Sequence, residues 1–235
     1  MDQTQQSLLN AAAKSLSKAW QDQWSMIEED EPILAAEYIA TIEVALALSN
    51  MAPGCIRIEH LIRSAFCNTI MRNQYIQNSV PSELHQGRID VAVVANTNAL
   101  IPRCLVEIKR DANLSLIKKD AERIAVLIEC TKPNLQDLFG FCLFPLRFSP
   151  LATNPPDYEA PRAAELEKVK PVLACLRKAH PSLIIDVQNL QEFSINRASI
   201  DVQEHADGRT EEVWDRNGFQ MEPAAITVER RSTQP

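Results

Sequence analysis

Three residues in the middle of the chain have types and spacing suited to phosphate chemistry: Asp90, Glu107 and Lys109. Glu107 and Lys109 are two apart in Val106-Glu107-Ile108-Lys109. Strand side chains alternate, so both project to one face while Val106 and Ile108 take the other. Asp90 lies in a similarly β-branched stretch and shares a face with Ala92. If the two stretches pair, the Asp90 and Glu107 carboxylates come close. Together with the Ile108 backbone carbonyl they suit a hard divalent cation, Mg²⁺ first and Mn²⁺ as its substitute. Such an ion activates water and stabilises charge growing on a phosphate, and a neighbouring lysine orients or deprotonates that water.

Periodicity indicates the elements that must hold this set. Leu8, Leu9, Ala12, Leu16, Ala19 and Trp20 recur at helical spacing, and a second helix is expected from about Ile33 to Leu48, behind Pro32. A third is expected over 56–72, on a stripe of Ile58, Leu61, Ile62, Ala65, Phe66 and Ile70. The period then shortens to that of strands at 88–95 and 103–109, a hairpin with a medium loop. Asp111 and Asn113 are cap candidates for a helix over 114–128, and 138–144 reads as a buried strand. The prolines between 149 and 161 mark a surface loop, followed by a helix at 162–179 that Pro171 should kink or split. Another strand is expected at 183–187, and two weak ones around Asn217-Gly218. The class is α/β: a mixed central sheet flanked by helices over 51–229, an N-terminal helical extension over 1–50 and a frayed tail over 230–235.

Composition excludes other chemistries. The 235 residues include only 5 glycines, with no cluster for a dinucleotide fingerprint or a phosphate-binding loop. The four histidines are scattered and the six cysteines form no C-x-x-C pair, so a zinc site is not expected. No apolar run reaches membrane-spanning length and no secretory signal opens the chain, and the cysteines read as reduced thiols of a cytoplasmic protein. Net charge is −7, yet residues 51–123 carry 10 basic and 7 acidic side chains, a local +3 around the candidate site.

Arg88-Ile89-Asp90, a linker, then Val106-Glu107-Ile108-Lys109 resembles the PD-(D/E)XK nuclease signature, with Ile89 where the family's proline stands. The resemblance covers about 56–144 in organisation and few residues in identity. It implies a restriction-endonuclease-like core: a helix, an antiparallel strand pair bearing the motif, a helix, then a further strand. It further implies Mg²⁺ held by Asp90 and Glu107, Lys109 acting on the water, and a helper glutamate from the preceding helix. Glu59 matches that last position best, ahead of Glu43 and Glu37. The implied activity is phosphodiester hydrolysis in nucleic acid, DNA ahead of RNA, in restriction or phage defence by the family's habits, often as a homodimer or with a partner protein. Lys118, Lys119 and Arg123 on the next helix are candidate contacts to a phosphate backbone.

Plainer readings exist for each feature. Glu107, Lys109 and Asp90 also make an ordinary cross-strand ion-pair face, and Lys118, Lys119 and Arg123 an ordinary solvated helix face beside Asp120 and Glu122. A non-catalytic binding or scaffold subunit on the same fold is the alternative function. A small α/β protein with Asp90 and Glu107 on opposite faces is the third.

Overall fold

The computed structural model describes residues 1–26, 37–68, 70–96, 99–133, 135, 137–149, 157–196, 200–204, 210–214 and 220–231. Its centre forms where β-branched and aromatic residues are densest. β2 (Arg88–Asn96) and β3 (Ala99–Ile108) pair antiparallel, and Asn96 stands opposite Ala99, so the hairpin is tighter than the medium loop expected. β4 (Phe139–Phe148) runs parallel to β3, β9 (Gln220–Arg230) antiparallel to β4, and β5 (Leu183–Asn189) antiparallel to β9. With β1 (Ile56–Leu61) on the other side of β2, the strand order is β1-β2-β3-β4-β9-β5, and the two-residue β6 (Ile195–Asn196) also pairs with β9.

Both faces of this mixed sheet are covered. On one, α1 (Gln3–Met26) and α2 (Glu37–Met51) set Leu9, Leu16, Trp20 and Leu48 against Val91, Val106, Phe141 and Leu143. The extension expected over 1–50 is therefore a layer of the fold and shares its core. On the other, α4 (Leu114–Cys130) and α5 (Glu159–Ala179) set Ile117, Ile124 and Leu173 against Leu105, Cys142, Phe144 and Ile226. Asn113 caps α4 by accepting from the Ser115 and Leu116 N–H groups at 3.1 and 3.3 Å, which stabilises the helix by about 1 kcal/mol. Gly140 lets α4 sit close: a Cβ there would lie 2.5 Å from Ile124 Cγ2 and 2.9 Å from the Leu105 carbonyl oxygen.

Three expectations need correction. Residues 56–72 are not one helix. They begin with β1, turn through the short α3 (Ile62–Phe66) and end in a π-helical turn running into Met71–Tyr75. The stripe read as helical is half exposed: Ile62, Ala65 and Phe66 are buried, whereas Ile58, Leu61 and Ile70 face outward. Ile56 and Ile58 instead satisfy the strand period beside β2. α5 is not split by Pro171, whose ring sits on the exposed side of a continuous helix. The two weak strands expected around Asn217-Gly218 are present on either side of it, as β8 (Thr210–Trp214) and β9, but they pair elsewhere: β8 with β7 (Ile200–Glu204), apart from the main sheet, and β9 with β4 and β5. Residues 215–219 lie outside the described residues, as do 150–156 of the Pro-rich loop. Arg230, expected in the frayed tail, ends β9 and donates to the Ile128 and Thr131 carbonyls at the end of α4.

Candidate functional site

The register Val91↔Val106 sets Asp90 across from Glu107, on the face that α4 covers. The reading that put the two carboxylates on opposite faces is thereby removed. The first residues of β2 pair with β1 through His60↔Ile89 and Leu61↔Arg88. At this end of β3 the Ile108 N–H donates to Asp90 Oδ2 at 2.7 Å, a side-chain acceptor in place of a ladder partner. The expected ligand set used the Ile108 carbonyl; the group that the structure sets on Asp90 is the N–H of the same residue. Lys109 follows the last strand residue, and its N–H extends the parallel ladder to the Leu143 carbonyl at 2.8 Å.

Glu107 is fully buried. Arg123 of α4 donates to its Oε1 twice, from Nε at 3.0 Å and from Nη2 at 2.6 Å. The same Nη2 lies 2.9 Å from Asp120 Oδ1, and Asp120 Oδ2 lies 2.9 Å from Lys109 Nζ. Charges thus alternate along one chain: Glu107, Arg123, Asp120, Lys109. Glu107 Oε2 is buried and has no hydrogen-bond partner. Burial first, then the charge of Asp90, pushes the Glu107 carboxyl well above the ordinary carboxylate range, against the pull of Arg123. Cys142 stands beside Glu107 in the parallel register, its thiol pushed up by burial and then by Asp120 and Glu107.

The remaining expected residues are placed differently. Arg123 does not join Lys118 and Lys119 on a solvated face; it turns inward to Glu107, because a dry carboxylate one layer below binds it far better than water-screened charges would. Lys118 faces Cys175 of α5, and Lys119 is exposed. Glu59 is on β1, not on a helix. The pairs Ile58↔Val91 and His60↔Ile89 bracket it at the register position opposite Asp90. Its backbone is left-handed, with φ of 50°, a strained conformation for a non-glycine residue, and its carboxylate lies 3.7 Å from Arg88. Glu43 lies on α2, on the opposite face of the sheet, and the side chain of Glu37 is not among those described.

Sequence reasoning missed Asp120, reading it only as an offset to the lysines. A signal was present: Asp120 falls within the buried stripe of Ile117, Ala121 and Ile124, where a carboxylate must find partners.

Among the described residues no group of three His, Cys, Asp or Glu side chains is placed to hold a metal. Mg²⁺ is commonly held by one or two carboxylates, with waters and substrate phosphates completing its shell. A pair of facing carboxylates with one buried, unpartnered oxygen fits that mode. Fold and site by themselves define an α/β protein with a mixed sheet and a buried charge chain under one helix. No family model matches the chain, and comparison with curated proteins and with solved structures yields no match.

Proposed function

We propose that the protein is a Mg²⁺-dependent nuclease that hydrolyses phosphodiester bonds in nucleic acid, DNA ahead of RNA. The observation that carries this reading is that Glu107, opposite Asp90 in the β2–β3 register, has its Oε2 buried without a hydrogen-bond partner. The chain order from the motif onward supports it: an antiparallel strand pair leading to Asp90, Glu107 and Lys109, then α4, then a further strand, β4, in the order that the resemblance to PD-(D/E)XK nucleases implies, although the long helix it implies ahead of the pair is replaced by β1 and the short α3.

Asp90 and Glu107 would hold the ion. When bound, it lowers the pKa of a water and offsets charge on the phosphate. The rest of the work falls to the chain. Arg123 fixes the Glu107 carboxylate through one oxygen, the Ile108 N–H fixes that of Asp90, and Lys109 presents its ammonium from the same strand face to orient the attacking water. Lys119, with the local excess of basic residues, offers contacts to a phosphate backbone. The acidic chain as a whole suits a protein that grips nucleic acid together with a second copy or a partner.

The test is cleavage of plasmid, linear and single-stranded DNA and of RNA by wild type and Lys109→Ala, each with Mg²⁺, Mn²⁺ or EDTA. Cleavage that both EDTA and the substitution abolish is expected; cleavage indifferent to both would overturn the assignment. One observation favours a second reading, a non-catalytic subunit: Arg123 and Lys109 already neutralise most of the cluster's charge. In that case no substrate is cut and EDTA changes nothing.

A further inference from the structure

We infer that the cavity beside the π-helical turn at Met71–Tyr75 is a binding site for a nucleoside monophosphate, with the phosphate on Arg72 and the base on Asn78. The cavity shares no lining residue with Asp90, Glu107 and Lys109 and stands whether or not that cluster holds a cation.

The cavity measures about 360 Å³, within the ~300–1,000 Å³ of small-molecule sites and more than a lone phosphate fills. Hydrogen bonds fix its walls. Asn68 Oδ1 accepts from the Met71 N–H at 2.9 Å where the turn begins, and the Ile76 N–H closes the turn on the Met71 carbonyl at 2.8 Å. The Gln77 and Asn78 N–H groups then both donate to the Cys130 carbonyl at the end of α4, at 2.9 and 3.3 Å. The Gln77 side chain donates to the Glu129 carbonyl at 2.9 Å, and the His85 ring bonds the Val80 carbonyl at 3.0 Å. Walls held in this way are formed before a ligand arrives, which lowers the cost of binding. Single π-helical turns also recur at functional sites.

The lining chemistry selects the ligand. Phe66 and Val80 are buried and Cys67 and Ile76 half-buried, which gives the cavity an apolar side. Among the described residues no carboxylate lines it, and the exposed Arg72 guanidinium pairs with none, so an anion is favoured over a cation. The planar guanidinium fork matches a phosphate. A carbonyl only accepts, so His85 Nε2 carries a proton, and the neutral ring keeps Nδ1 as an acceptor for a ribose hydroxyl. The Gln77 amide nitrogen is spent on α4. Asn78 is then the rim amide able to pair a donor and an acceptor with the edge of adenine.

Titration calorimetry of the full chain in EDTA, with AMP, adenosine and inorganic phosphate as probes, tests the site without any cleavage. AMP should bind, and adenosine and phosphate should each bind at least roughly 10-fold more weakly. Arg72→Gln should weaken AMP roughly 10- to 100-fold, the scale of a hydrogen bond to a charged group, and Asn78→Ala about 3- to 10-fold. Arg63→Gln, at an exposed arginine outside the cavity, should change nothing. Thermal melts check that every variant is folded. If AMP does not bind, if phosphate alone binds as tightly, or if Arg72→Gln binds AMP as well as Arg63→Gln does, the inference is wrong, whether or not the protein cuts nucleic acid. A 5′-phosphorylated trinucleotide separates two sources of the ligand. Tighter binding than AMP makes it the end of a strand, weaker binding makes it a free mononucleotide, and both support the site.

Discussion

Among the described residues, two glutamates are completely buried against an arginine from a covering helix, and they are treated very differently. Glu222 of β9 meets Arg162 of α5: Nε reaches both carboxylate oxygens at 2.9 Å, Nη2 reaches Oε1 at 2.7 Å, and Gln220 adds a further donor at 2.8 Å. Both oxygens are satisfied, and the guanidinium also lies 5.7 Å from the centre of the Phe148 ring. Glu107 of β3 meets Arg123 through a single oxygen, with two further carboxylates close by and its second oxygen unmatched. The first is a closed tie between α5 and the sheet. The second is left incomplete in the interior, where incompleteness is costly, and the asymmetry is the physical basis for placing function at Glu107 and structure at Glu222.

The largest expected effect tests the structural half of that contrast. Arg162→Met should destabilise the fold by about 3–5 kcal/mol, because it strands the Glu222 charge, while adding Glu222→Leu should recover most of the loss. Denaturant unfolding of the three proteins measures both. A single variant as stable as wild type would mean that the tie holds nothing.

Next in size is Gly140→Ala. Its new methyl group would have to displace Ile124 and meets the immovable Leu105 backbone, for an expected loss of about 1–3 kcal/mol. Because Ile124 adjoins Arg123 on α4, any cleavage activity should fall more than stability at a temperature where the variant is fully folded. Loss of stability with full activity would separate the α4 seat from the site.

The hairpin, the α4 helix with its Asn113 cap and the main strands were legible in the sequence because local signals agreed: β-branched runs, turn residues, a cap and a single apolar stripe. Residues 56–72 were misread because Ile58, Leu61, Ile62, Ala65 and Phe66 satisfy a helical stripe on paper, and only pairing with β2 decides the period. β8 went to β7 because strand pairing is a long-range choice that no turn signal fixes. At the site, the same-face rule placed Glu107 with Lys109 and the strand register placed Asp90. The inward turn of Arg123 and the anchoring by Asp120 depend on how α4 lies over β3, which is tertiary information.

Glu107→Gln sharpens the comparison from the functional side. The amide oxygen can still accept from Arg123, and Asp120 still balances that guanidinium, so stability near neutral pH should change by less than about 1 kcal/mol. Cleavage and Mn²⁺ binding should be lost. The sign of its pH effect is fixed. The native carboxyl is pushed well above its ordinary value of 4.5, chiefly by burial, so the native state keeps a proton that the unfolded chain releases. Stability contributed by that proton is present below 4.5 and lost as pH rises towards the folded value, and Glu107→Gln should remove this decline. A variant as damaged as Arg162→Met would erase the distinction between the two glutamates.

The smallest effect asks whether an unmatched buried atom is by itself a mark of function. His60 Nε2 is also buried without a partner, on β1, opposite Ile89, the neighbour of Asp90 on β2. Its pKa is lowered, by burial and then by Arg57, so the native ring stays neutral where the unfolded ring takes a proton. Its stabilising contribution is whole above 6.5 and fades as pH falls below that, opposite in direction to Glu107. Urea midpoints for His60→Gln between pH 7 and pH 5 should therefore fall less steeply than those of wild type, with Mn²⁺ binding untouched. His60 has no carboxylate facing it across the register, since its partner is Ile89, and Glu107 has Asp90. If His60→Gln weakened Mn²⁺ binding as well, the boundary of the site would move outward to β1 and include the strained Glu59 beside it.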